Sequence, residues 1–70
     1  MTLNEIKSAV DAGKTVHWVN PGYIVLHDQT HNCDQWLIAW NYGRQDANFI
    51  GLTWQDGVTV NGKPDEFYIA

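Results

Sequence analysis

Basic residues are scarce: four Lys and Arg against eight Asp and Glu leave a formal net charge of −4 over 70 residues. A phosphate backbone is repelled by such a chain as a whole, so direct nucleic-acid binding is not expected. A DNA mimic would need acids in a dense array. Here they are scattered singly at Glu5, Asp11, Asp28, Asp34, Asp46 and Asp56, with one pair at Asp65 and Glu66. Cysteine is limited to Cys33, which excludes an intramolecular disulfide. The opening MTLNEIKSAV lacks the apolar run of a secretory signal or membrane span, so a cytoplasmic location is expected. Serine is limited to Ser8, inside a helical pattern, and no glycine-rich phosphate loop or carboxylate pair at helical spacing occurs. The expectation is a non-enzymatic protein that calls for no cofactor.

Aromatic residues, by contrast, are plentiful: four Trp, three Tyr and two Phe. Large rings compensate for a length near the lower limit at which a chain buries a sufficient core, and they predict a single domain over residues 1–70.

The stretch TLNEIKSAVDAGK predicts a helix over about 2–12. Thr2 and Glu5 have the spacing of a capping box, Gly13 stands where a left-handed C-terminal residue is wanted, and Leu3, Ile6, Ala9 and Val10 form one apolar stripe. Strands are expected at about 15–20, 23–28, 35–42, 49–54, 58–60 and 66–69, the last as a strand or a helical turn. Asn20-Pro21-Gly22-Tyr23 has the composition of a type II turn, while Asp56-Gly57 and Asn61-Gly62 mark later reversals. The fold class that follows is α+β, one N-terminal helix packed on an antiparallel sheet of four to five strands.

The densest chemistry lies in HDQTHNCD, residues 27–34. Its spacing, His27-x3-His31-x-Cys33, brings one cluster of zinc-type ligands where structural zinc signatures bring two, and His17 is a further candidate from the preceding strand. A polar turn, in which Asp and Asn satisfy local backbone groups, accounts for the same residues, so the metal site at His27, His31 and Cys33 stands as the alternative. A Cys33 nucleophile with a His base would need an orienting third group and an oxyanion site that the pattern does not supply.

One helix covers one face of a sheet. In QWLIAWNY, alternation puts Trp36, Ile38, Trp40 and Tyr42 on one side and Leu37 and Ala39 on the other, so apolar groups remain on whichever side is uncovered. The expected interaction surface is Trp36, Trp40, Tyr42 and Arg44, contacting a second copy as a homodimer or a host protein. A rival use of the indoles is to stack a nucleotide-like ligand, with Arg44 or Lys14 meeting its phosphate.

EIKSAVDAGKTVHW and IGLTWQDGVTVNGKPDEFYIA together resemble segments of short, functionally unassigned proteins encoded by bacteriophages and prophages. Over residues 4–18 alone, the helix, the AGK junction and the strand are similar to the start of the Thoeris anti-defence proteins that sequester cyclic nucleotide signals. GLTWQDG and NGKPDEF depart from that family's pattern. The resemblance implies a small phage protein that binds a host factor or a host signal, and carries over no binding residue.

Overall fold

A computed structural model of the chain describes residues 1–30 and 34–70. One helix, α1 (Leu3–Asp11), precedes five strands: β1 (Val16–Trp18), β2 (Asn20–Asp28), β3 (Gln35–Trp40), β4 (Asn48–Gly51) and β5 (Phe67–Ile69). The strands form one antiparallel sheet in the order β4-β3-β2-β1-β5. The fold is therefore the α+β arrangement expected from the sequence.

Both ends of α1 follow from its cap residues. Thr2 Oγ1 accepts from the Glu5 amide at 3.2 Å and the Glu5 carboxylate accepts from the Thr2 amide at 2.8 Å, so two amides without helical partners are satisfied reciprocally. Hydrogen bonding from Thr2, its backbone amide first and its side chain second, holds the Glu5 carboxyl below its usual range. At the other end Lys14 N–H donates to the Ala9 carbonyl and Gly13 N–H to that of Val10, the paired bonds of a Schellman ending, with Gly13 at φ +85°. Ile6 and Ala9 face inward.

Cross-strand pairs sort the sheet into two faces. Trp18↔Phe67, Tyr23↔Trp40, Val25↔Ile38, His27↔Trp36 and Ile38↔Ile50 lie on the helix side. His17↔Ile24, Leu26↔Leu37 and Ala39↔Phe49 lie on the other. The core cluster of Ile6, Ala9, Val16, Val25, Ile38, Leu52 and Phe67 draws entirely on the first side. Leu52 reaches it from an excursion after β4, in which Thr53 and Val60 form an isolated bridge and Asp56 turns the chain by accepting from the Val58 and Thr59 amides. The strand expected at 58–60 is thus reduced to that bridge. Pro64–Glu66 then make one turn of 3-10 helix before β5, so the closing segment supplies both a helical turn and a strand.

Two local expectations are corrected. The β1–β2 reversal falls at Val19, which takes φ +69° between the paired Trp18 and Asn20, rather than at Pro21-Gly22. Gly22 is drawn into β2 instead, where its carbonyl accepts from the Asn41 amide at 3.3 Å and Trp40 lies against its Cα. Likewise β3 ends at Trp40 because Asn41 turns to φ +55°, and the alternation that would carry Tyr42 onto the indole side is broken there.

A one-sided core makes a measurable difference between adjacent residues of β3. Ile38→Ala, at a position 1% exposed, should cost about 2–5 kcal/mol by urea unfolding at low protein concentration. Leu37→Ala, half-buried on the opposite side, should cost under about 1.5 kcal/mol. Equal losses would mean that a second layer covers the Leu37 side.

Candidate functional site

Three surfaces gather the chemistry-bearing residues. The first is centred on His27, near the end of β2. Its Nδ1 lies 2.8 Å from Asp11 Oδ1 at the end of α1, its Nε2 meets Asp34 Oδ1 ahead of β3, and its ring stacks on Trp36 with centroids 3.8 Å apart and planes 11° from parallel. Carboxylate oxygens only accept, so the imidazolium, whose two ring nitrogens both donate, is the form that satisfies this geometry in full. The bond to Asp11 is the main cause that raises the His27 pKa above the ordinary 6.5; burial opposes it and Asp34 adds to it. An imidazole so engaged has no lone pair for a metal or for a substrate proton. His31 and Cys33 lie outside the described residues, and among the described residues no group of three His, Cys, Asp or Glu could hold a metal ion.

Asp28, the next residue, behaves as the polar-turn reading anticipates. Its carboxylate accepts from the Thr30 amide at 3.0 Å, the Thr30 hydroxyl at 2.7 Å and the Gln35 side-chain amide at 3.0 Å, bracing the connection from β2 to β3. His17 is also accounted for: its Nδ1–H donates to the Tyr23 carbonyl at 3.0 Å, and its ring lies 5.4 Å from that of Tyr68.

The second surface is a run of rings on the helix side. Phe67, Trp18, Tyr23 and Trp40 follow one another with centroid separations of 6.2, 4.9 and 4.6 Å. Two glycines make room for the indoles. A Cβ on Gly22 would stand 2.0 Å from Trp40 Cζ3, and one on Gly62 would stand 2.7 Å from Trp18 Nε1. The Trp18 Nε1 donor is buried with no hydrogen-bond partner among the described residues, a cost of about 1–3 kcal/mol borne for close packing. Beyond the reach of α1, Trp18, Tyr23, Ile38, Trp40, Asn48 and Ile50 line a groove of about 350 Å3.

The third surface is the sheet side that carries no helix. Ile24, Leu26 and Leu37 are half-buried there, and Phe49 and Tyr68 are exposed. Ala39 is buried beneath its cross-strand neighbours Ile24 and Phe49 rather than beneath another layer. Tyr42, 57% exposed, packs edge-on against Phe49 at 6.4 Å, and the two join Leu26 and Leu37 around a groove of about 320 Å3.

Of the four residues expected to share one interaction surface, Trp36 and Trp40 lie on the same side of β3, while Tyr42 and Arg44 lie elsewhere. Trp36 is stacked by His27 and approached by Lys7 Nζ at 5.4 Å, and Trp40 rests on Gly22 and Tyr23. Tyr42 joins the opposite side of the sheet, and Arg44 is exposed in the connection between β3 and β4. Lys14 lines a separate groove with Asp11 and His27, away from the indole groove. Sequence reasoning did not find the Asp11–His27–Asp34 set, whose members stand 16 and 7 positions apart. The signal available was the chance of acids at the ends of two elements flanking a strand-end His.

Among the described residues no helix is long and apolar enough to cross a membrane. Compared with known proteins, the chain matches no family model, no curated protein and no solved structure.

Gly22→Ala tests how tightly the indole run is built. The Trp40 ring must move to admit the methyl group, so unfolding midpoints should fall by the equivalent of about 1–3 kcal/mol and tryptophan emission should shift to the red. An unchanged midpoint and spectrum would show that the ring is loosely held.

Proposed function

We propose that this chain is a small non-catalytic binding module that contacts protein, a second copy of itself or a host protein, through the sheet side bearing Ile24, Leu26, Leu37, Ala39 and Phe49. The reading rests on the one-sided core: an apolar sheet side with no covering layer of its own among the described residues. A sheet side of this kind, rimmed by Tyr42 and Tyr68, has the composition of a contact patch, apolar at its centre with aromatic groups whose hydroxyls stay wet. Its central strands present no Lys, Arg, Asp or Glu on that side before Asp28 at the end of β2. The resemblance of the opening and closing segments to phage-encoded proteins favours a host protein as the foreign partner.

A photo-crosslinking amino acid such as benzoylphenylalanine, placed at Phe49 and separately at Val58, tests this in bacterial cells. Both positions are exposed, at 51% and 70%, but only Phe49 lies on the proposed surface. Discrete adducts from position 49 that position 58 does not give are expected. No adduct at 49, or the same adducts from both positions, would overturn the reading.

A second reading is favoured by the indole groove, whose rings could stack a planar ligand while the Asn48 amide offers a donor and an acceptor. Of the two cations expected to meet a phosphate, Lys14 lines a different groove, while Arg44 belongs to the connection that leads to Asn48. Titrating nucleotides while following tryptophan fluorescence should then quench the wild type and leave Trp40→Phe largely unaffected. A spectrum that moves in neither intensity nor wavelength removes this reading.

A further inference from the structure

We infer that His27 is a pH-operated latch that fastens the start of β3 to the C-terminal end of α1. Three segments distant in sequence converge on this one ring: Asp11 from α1 on Nδ1, Asp34 from the approach to β3 on Nε2, and Trp36 of β3 against its face. The side chain is only 14% exposed. A neutral imidazole has a single N–H, so loss of the proton leaves one nitrogen pointing its lone pair at a carboxylate. What was a donor of two hydrogen bonds becomes attractive on one side and repulsive on the other.

The charged groups on every element around the ring set the balance. From α1 come Asp11, in direct contact, and Lys7, whose Nζ stands 5.4 Å over the Trp36 ring. Lys14, following the helix, lines the same groove as Asp11 and His27. Asp34 comes from the segment before β3, while β3 itself presents the uncharged Trp36. Asp28, next on β2, directs its carboxylate to Thr30 and Gln35 instead. Among the described residues two carboxylates bond the ring directly and no cation does, so the set favours the imidazolium, in agreement with a His27 pKa raised above 6.5 chiefly by Asp11. For a group raised in the folded state, the stabilisation is fully present below the unfolded value and is lost as pH rises through the native one. The latch is thus closed in mildly acid solution and opens as pH climbs past that raised midpoint.

The two arms are unequal. Both carboxylate side chains are exposed, 57% for Asp11 and 67% for Asp34, but Asp11 ends a helix anchored through the buried Ile6 and Ala9, whereas Asp34 stands outside any element, ahead of β3. The neutral ring therefore keeps its remaining proton on Nδ1 toward Asp11, and the Asp34 arm releases. Opening is local, at the entry to β3, where the cationic character of the stack on Trp36 disappears with it.

Nitrogen-resolved NMR of the imidazoles across about pH 5 to 8 tests the latch on the intact chain. At the acid end both His27 nitrogens should carry protons. Its titration midpoint should lie above 6.5, and the Asp34 amide and Trp36 indole signals should move with that same midpoint. Asp34→Asn should lower the midpoint, and the thermal stability of the wild type should fall through the window while that of His27→Gln stays flat. Should His27→Gln fail to fold, Asp34→Asn, a change at an exposed side chain, carries the comparison alone. A His27 that is neutral at the acid end, a midpoint at or below 6.5, an Asp34→Asn midpoint equal to the wild type, or Asp34 and Trp36 signals that ignore the titration would each overturn the proposal.

Discussion

A nine-residue helix is about 13 Å long, and five strands at about 4.8 Å spacing make a sheet some 20 Å wide or more. That mismatch governs the molecule. α1 can shield part of one side only, over β1 and β2, and the excursion that brings Leu52 and Val60 inward extends the shield toward β3. The far end of the same side stays open as the indole groove, with Ile50 still 42% exposed, and the opposite side has no covering layer among the described residues. Both candidate contact surfaces are consequences of covering a wide sheet with a short helix.

Packing on the covered side depends on rings meeting bare backbone. Trp40 on Gly22 and Trp18 on Gly62 bring large apolar areas close to the main chain, and the arrangement accepts costs elsewhere to do so. The Trp18 Nε1 donor has no partner among the described residues, and Val19 occupies a left-handed conformation that a β-branched residue adopts at a cost of about 1–3 kcal/mol. The Val19 amide nevertheless donates to the Glu66 carbonyl at 2.9 Å, so the strained reversal is tied to the segment that delivers β5.

Much of the fold was legible because it is written locally. Thr2, Glu5 and Gly13 mark the helix by caps whose partners are a few residues away, and the alternation in β2 and β3 reads directly as strand. What escaped was decided by long-range contact. Pro21-Gly22 has the composition of a turn, but the glycine is needed beneath Trp40, eighteen residues on, and the reversal moves to a valine that nothing in its own chemistry recommends. The side that α1 would choose was open because Trp36 and Leu37 are both apolar. The candidate site was less legible still: HDQTHNCD drew attention to His27, yet the groups that define its charge are Asp11 and Asp34, and only the tertiary fold brings the first of these near.

Gly22 beneath Trp40 also bears on how the chain finds its own pairing. Sliding β3 along β2 by one residue would turn every side chain to the wrong side and remove Ile38 from the core. A slip of two preserves the sides and would be harder to reject on hydrophobicity alone. Yet Gly22 is the one position in β2 without a Cβ, and in the observed register the Trp40 ring fills the space a Cβ there would take, a fit that a shift of two would give up. The glycine thus acts as a registration mark, giving a small sheet with apolar groups on both sides a reason to align in one way.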